Sequence, residues 1–179
     1  MNAHIRVAGR GDRDDIRDIH LQAFPEGEGE SIAVLADNLL GEKSDPATFS
    51  LVAEMDGDVV GHVAFSPVYV RFDNRFLGYI LAPLAVAPRH HKIGIGSQLV
   101  KSGIARVAAL DANMLFVYGD PNYYGQFGFG GRAAMNFEPP YRLEYPSGWL
   151  GKMLQVSIGE NTRPVRLSCV ASLRDPTLW

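Results

Sequence analysis

Leu84-Ala85-Val86-Ala87-Pro88-Arg89-His90-His91-Lys92-Ile93-Gly94-Ile95-Gly96-Ser97 is the stretch on which the reading of this chain turns. An apolar run ends at a proline, two glycines follow one residue apart, and Ile95, Leu99, Gly103, Val107 and Leu110 then recur at helical spacing. The pattern predicts a strand, a turn, and an amphipathic helix over about residues 94–110 with those five residues facing inward. Glycines in such a turn let the backbone approach a ligand, and the helix start aims free N–H groups, with a partial positive charge, at one point. An anion belongs there. Lys92 adds a mobile positive charge and Ser97 a hydroxyl donor, which together meet the needs of a pyrophosphate. A plain turn with a close packing contact would use the same two glycines, so the flanking segments carry the decision.

Upstream, the hydrophobic period is that of strands. Residues 49–55 and 59–71 read as a hairpin closed at Asp56-Gly57, a dipeptide that accepts positive φ, and a second turn at Asp73-Asn74 leads into a strand over 76–86. Pro83 inside that strand cannot donate to a ladder, which marks an edge or a bulge. Before the strands come a short strand over 4–8 and a helix with Asp12 as its cap and Ile16, Ile19, Ala23 and Phe24 on one face. Pro25, Gly27 and Gly29 break it. A second helix follows, marked by Ile32, Leu35, Ala36 and Leu39 and ending at Gly41.

Downstream of the long helix, 114–118 reads as a buried strand, so the strand-helix-strand unit implies a right-handed parallel crossover. The fold class is mixed α/β. Gly119-Asp120-Pro121-Asn122-Tyr123-Tyr124-Gly125-Gln126-Phe127-Gly128-Phe129 comes next, in which Asp120 caps a short helix with Pro121 at its first position. Beyond Phe129 the chain is rich in Pro, Gly and aromatic residues, with one strand candidate at 165–173. That tail completes the sheet, covers its edge, or forms part of an acceptor pocket.

With 179 residues, 46% of them hydrophobic and 10% aromatic, the chain can bury a proper core and is read as one domain over 1–179. A net charge of -3 with scattered Lys and Arg leaves no electrostatic footprint for nucleic acid or an anionic membrane. The stretch Met1 to Val7 carries no apolar core of signal-peptide length, the longest apolar run, around Tyr79 to Ala87, is too short to span a bilayer, and the expected location is cytoplasmic. The lone Cys169 excludes an internal disulfide and a multi-cysteine metal site, and reads as a small buried hydrophobe.

The turn resembles the acetyl-CoA motif of the GNAT superfamily, Q/R-x-x-G-x-G/A preceded by L-x-V-x-P, here His91 to Gly96 after Leu84 to Pro88. The Tyr-Tyr-x-x-Phe-Gly-Phe cluster resembles the family's Y-x-x-x-G-F segment, and the string from Gly119 to Phe129 is similar to the YhbS-like branch. The resemblance covers about residues 5–137. It implies a mostly antiparallel twisted sheet with one parallel strand pair splayed at the cofactor, helices on both faces, a core over 3–137, and an extension over 138–179. It implies acetyl-CoA or CoA as cosubstrate, no metal, and an amine of a small molecule or peptide as acceptor, and it leaves a homodimer open. Main-chain groups of Leu84, Ala85 and Val86 would pair with the pantetheine arm, and His91, Lys92, Ile93, Gly94, Ile95, Gly96 and Ser97 would hold the pyrophosphate. His91 departs from the usual Gln or Arg, and Lys92 from the common Gly.

By the same resemblance Tyr124 falls on the tyrosine that protonates the leaving thiolate. A phenol with a pKa of about 10 is suited to that. Packing as half-buried aromatics is the other reading of the pair, and fits Tyr123 as well or better. Asn122 either touches the cofactor arm or serves as a second cap. The base that relieves the amine of its proton is open among Glu26, Glu28, Glu30, Glu54, His62 and water. Glu26, Glu28 and Glu30 equally suit a solvated loop, and His62 a satisfied structural role.

The competing class is an acyl-CoA-binding sensor without catalysis, which would have no need of a phenol at 124. No G-x-x-x-x-G-K-[ST] string and no G-x-G-x-x-G with an acidic ribose clamp supports another nucleotide fold.

Overall fold

The protein is described by a computed structural model over residues 3–155 and 163–179. It divides into two compact units, residues 1–65 with 82–103, and residues 66–81 with 104–179. Two strands and one helix of the chain contribute residues to both.

The first unit carries strand β1 (His4–Val7), helices α1 (Arg13–Ala23) and α2 (Glu28–Gly41), and strand β2 (Phe49–Met55). It also holds the start of β3 (Asp58–Val70), the end of β4 (Phe76–Val86) and the start of α3 (Ile95–Ala108). β1, β2 and β3 are antiparallel neighbours, with Val52 opposite His62. Their hairpin closes as the sequence demands: Asp56 and Gly57 have φ of 53° and 89°, the left-handed pair of a tight turn. Helices cover both faces. On one, a Cβ added to Gly61 would lie 3.0 Å from Leu99 and 3.1 Å from Ile95 of α3. On the other, Val52 packs with Ile16 of α1 and Ala36 of α2.

Two expectations change here. Gly27, with φ of 91°, makes the break between α1 and α2, whereas Gly29 lies inside α2. An added Cβ there would meet the carbonyl oxygen of Leu21 at 3.2 Å, so Gly29 is small because α2 crosses α1 closely. Asp12 stands at the start of α1 without capping it. Its carboxylate accepts instead from the Gly9 amide and from both terminal nitrogens of Arg6, each within 2.8 Å.

The second unit holds the start of β4, the end of β3, and strands β5 (Met114–Tyr118), β6 (Phe137–Glu138), β7 (Trp149–Met153) and β8 (Val165–Cys169). Between β5 and β6 lie the short helices α4 (Pro121–Tyr124) and α5 (Gly131–Ala134). β4 and β5 run parallel, from Gly78 opposite Met114 to Leu81 opposite Val117. The ladder stops there, just before Pro83, which has no N–H to give. β7 pairs antiparallel with β5, β8 antiparallel with β3, and β6 makes a two-residue parallel contact with β8.

The expected strand over 165–173 is shorter, since a 3-10 turn over Ala171–Leu173 follows Cys169. Leu110 lies past the end of α3 and is 42% exposed, so it is not on the inward face. β7 was not expected. Of the extension over 138–179, residues 156–162 lie outside the described residues. Among the described residues no helix is long and apolar enough to cross a membrane.

Candidate cofactor and catalytic residues

The last residues of β4 alternate, with Leu84 and Val86 half-exposed and Ala85 buried. The chain then makes a 3-10 turn over Pro88–His90 and reaches α3 through two left-handed residues, Lys92 at φ 63° and Gly94 at φ 87°. These two positive values bend the chain so that the helix begins abruptly. The first rung of α3 is the bond from the Gln98 amide to the Gly94 carbonyl, at 3.0 Å. The amides of Ile95, Gly96 and Ser97 precede that rung and have no acceptor in the helix. Nothing lies within 4 Å of a Cβ placed on Gly94, and Lys92, Ile93 and Gly94 are exposed. A helix start with free donors, an open approach and a neighbouring ammonium suits a phosphate group.

His91 is at the cradle in a different way from a phosphate ligand. Its ring Nε2–H donates to the carbonyl of Val86 at 2.7 Å, and its amide donates to Pro88 at 3.2 Å. The side chain ties the turn back to the end of β4. Any ligand contact from Val86 then shares its carbonyl with this bond.

In the second unit, Asp120 caps α4 by accepting from the Asn122 amide at 2.9 Å, with Pro121 at the first helical position. Asn122 itself is exposed. Tyr124 meets the rings of Tyr123 and Phe129 edge to face, at centroid distances of 5.0 and 5.8 Å. Burial, with a smaller push from Tyr123, drives its phenol well above the usual value. Tyr124 therefore stays protonated and remains a donor across the physiological range.

A family model described as "Acetyltransferase (GNAT) family" matches residues 13–129, well over half of the chain. The chain belongs to the GNAT acetyltransferase family. This GNAT chain is 31% identical over 152 residues to the uncharacterised N-acetyltransferase YjhQ of Escherichia coli K12, spanning 83% of the chain and 82% of the relative. It is 28% identical to YhbS from Escherichia coli, solved in complex with CoA, with a TM-score of 0.78 over 93% of this chain and 89% of that one. A GNAT acetyltransferase from Brucella melitensis, solved with acetyl-CoA, is 27% identical with a TM-score of 0.71, covering 95% and 97%.

Of the base candidates in this GNAT chain, Glu26, Glu28 and Glu30 are exposed around the start of α2. Glu54 is held by Arg6, whose Nε donates to it at 2.9 Å. His62 is fully buried and faces a residue the sequence reading passed over, His20 of α1. The signal was available, since His20 follows Ile16 by four positions and so lies on the apolar stripe of α1. Among the described residues no group of three His, Cys, Asp or Glu can hold a metal ion.

Proposed function

We propose that this protein moves an acetyl group from acetyl-CoA to a primary amine of a small molecule or peptide, by direct attack with both substrates bound. The observation that carries this is the start of α3, where three amides precede the first helical rung beside a left-handed Gly94 and Lys92. Membership of the family and the CoA and acetyl-CoA bound in two similar structures support it. The amides of Ile95, Gly96 and Ser97 take the pyrophosphate oxygens, and Lys92 adds charge. The half-exposed backbone around Leu84 and Val86 receives the pantetheine arm.

The amine nitrogen attacks the thioester carbonyl, the C–S bond breaks, and the electron pair leaves on sulfur. Tyr124 donates its phenolic proton to that thiolate, and the proton shed by the attacking nitrogen as the amide forms restores the phenol. Cys169 is buried in β8, and no covalent acyl-enzyme is needed.

The test is thiol release from acetyl-CoA over a panel of amines, aminoglycosides, amino acids and peptides, run beside calorimetric CoA binding. Release with at least one amine supports the transferase. CoA binding without release for any amine replaces it with a sensor, and failure to bind CoA removes both.

A further inference from the structure

Two arginines of the second unit line one small cavity with no carboxylate beside them. The cavity, of about 260 Å³, is bounded by Arg71 just past the end of β3, by Tyr141, and by Ser168, Cys169 and Arg174 of β8 and the turn that follows it. None of the described residues in its wall is acidic. A lone arginine on an open surface is solvated and calls for no partner, but two guanidiniums on one cavity repel unless an anion lies between them. Arg6, Arg13 and Arg75, by contrast, have carboxylate partners in Asp12, Asp37 and Asp73. Arg71 and Arg174 make no ion pair with any described residue.

The carboxylates nearest to them in sequence are committed elsewhere. Asp73 accepts from the amide of Arg75 at 3.0 Å and pairs with its guanidinium. Asp175 accepts from the amide and the hydroxyl of Thr177, at 2.9 and 2.7 Å. Glu138 of β6 stands in register with Arg166, which does not line the cavity. Arg174 is held in place: its Nε donates to the Cys169 carbonyl at 3.1 Å and its amide to the Ala171 carbonyl at 3.0 Å, which leaves both terminal nitrogens for a ligand. Arg71 is anchored by its amide, which donates to the Arg166 carbonyl at 2.8 Å and continues the pairing of β3 with β8 past Val70 and Leu167. Tyr141 and Ser168 add hydroxyl donors to the same wall.

We propose that this cavity is a second anion site, which takes a small dianion, either a phosphate or a short dicarboxylate. Arg174 presents its two terminal nitrogens as a fork to one pair of oxygens, Arg71 supplies the second charge, and the hydroxyls of Ser168 and Tyr141 donate to the oxygens that remain. The volume lies below the roughly 300–1,000 Å³ of sites for drug-sized ligands, so the occupant is smaller than CoA. The site shares no residue with the start of α3, and it stands whether or not the protein transfers an acetyl group.

The experiment titrates inorganic phosphate, succinate and, as a monoanion, acetate into the full chain by calorimetry at constant ionic strength, with and without excess CoA. Phosphate or succinate binds with a Kd below about 1 mM and at least about 10-fold more tightly than acetate, and excess CoA leaves that affinity unchanged. Arg71→Gln and Arg174→Gln each weaken it by at least about 10-fold, and Arg174→Lys, which keeps the charge and loses the fork, weakens it by roughly threefold. In 15N-resolved NMR spectra the Nε–H of Arg174 and the amide of Ser168 shift during the titration. The side chain of Arg71 makes no bond to the described fold, so Arg71→Gln decides the matter if Arg174→Gln is unstable. Four results overturn the site: no binding of either dianion, an affinity no better than that for acetate, binding that vanishes when CoA is present, or full affinity in Arg71→Gln.

Discussion

Gly119 leaves the space in which the ring of Tyr124 sits: a Cβ on Gly119 would lie 2.5 Å from Cε2 and 3.0 Å from Cδ2 of that ring. Real side chains do not approach so closely, so Gly119→Ala must displace the phenol. If Tyr124 is the acid for the departing thiolate, the displaced ring loses its aim while the cradle is untouched. We expect Gly119→Ala to lower kcat about 10-fold and Tyr124→Phe about 100-fold, with CoA affinity within about twofold for both, read by thiol release and calorimetry. Equal turnover in Tyr124→Phe removes the acid role.

The cradle makes a separate prediction. Gly94 has φ of 87° with open space around its Cβ position, so Gly94→Ala meets no clash but forces an L-residue into left-handed backbone. That costs about 1–2 kcal/mol, and the methyl projects where the phosphate is proposed to bind. CoA affinity should fall at least about 10-fold, and calorimetry would show it. Lys92 already bears the left-handed cost at φ 63°. In Lys92→Gly the relieved strain and the added freedom of the unfolded chain nearly cancel, within about 1 kcal/mol. The lost charge remains, so CoA affinity drops several-fold and depends less steeply on salt.

The strand over 76–86, the strand over 114–118 and the hairpin at Asp56-Gly57 were legible because local pattern alone specifies them. Asp120 was legible as a cap for the same reason. β7 was not, because Trp149 to Met153 carries a glycine and a lysine, and what makes it a strand is its register against β5, a long-range fact. Asp12 misled for a related reason, since its carboxylate is claimed by Arg6, which reaches it from β1. At the candidate site, the sequence pointed to the cradle residues as a group. It did not show that His91 turns back onto Val86, nor that His62 has a histidine partner.

The histidine pair sets a pH dependence of stability. Burial lowers His20 from 6.5 to about 4, and also holds His62 well below its usual value, with His20 adding to the push. In the unfolded chain both rings take up protons near 6.5, so between there and about 4 the unfolded state binds more protons than the folded one. Stability is thus full above pH 6.5 and falls as pH drops toward 4. The gap for His20 alone corresponds to about 3 kcal/mol. Denaturant titrations at pH 7.5, 6, 5 and 4.5 should show this slope, and the double variant His20→Leu/His62→Leu should flatten it. Asp12, lowered chiefly by its bonds to Arg6, contributes stability that is full above the unfolded carboxylate range and is lost as pH falls from that range toward its lower folded value.

Gly103 tests whether the helix that bears the cradle is positioned by the core. A Cβ there would overlap the ring of Phe65, which is fully buried and stacked on Phe49 at 5.0 Å. Alanine in mid-helix gains about 1 kcal/mol of intrinsic propensity over glycine, whereas overpacking a rigid core costs typically about 1–3 kcal/mol. Phe65 has little freedom to move, so the second effect wins. Gly103→Ala should lower the denaturant midpoint with the m-value unchanged, and should weaken CoA binding because α3 shifts as a rod and carries its first amides with it. A stabilised variant with unaltered affinity would show that Phe65 rearranges and that α3 keeps its place without this contact.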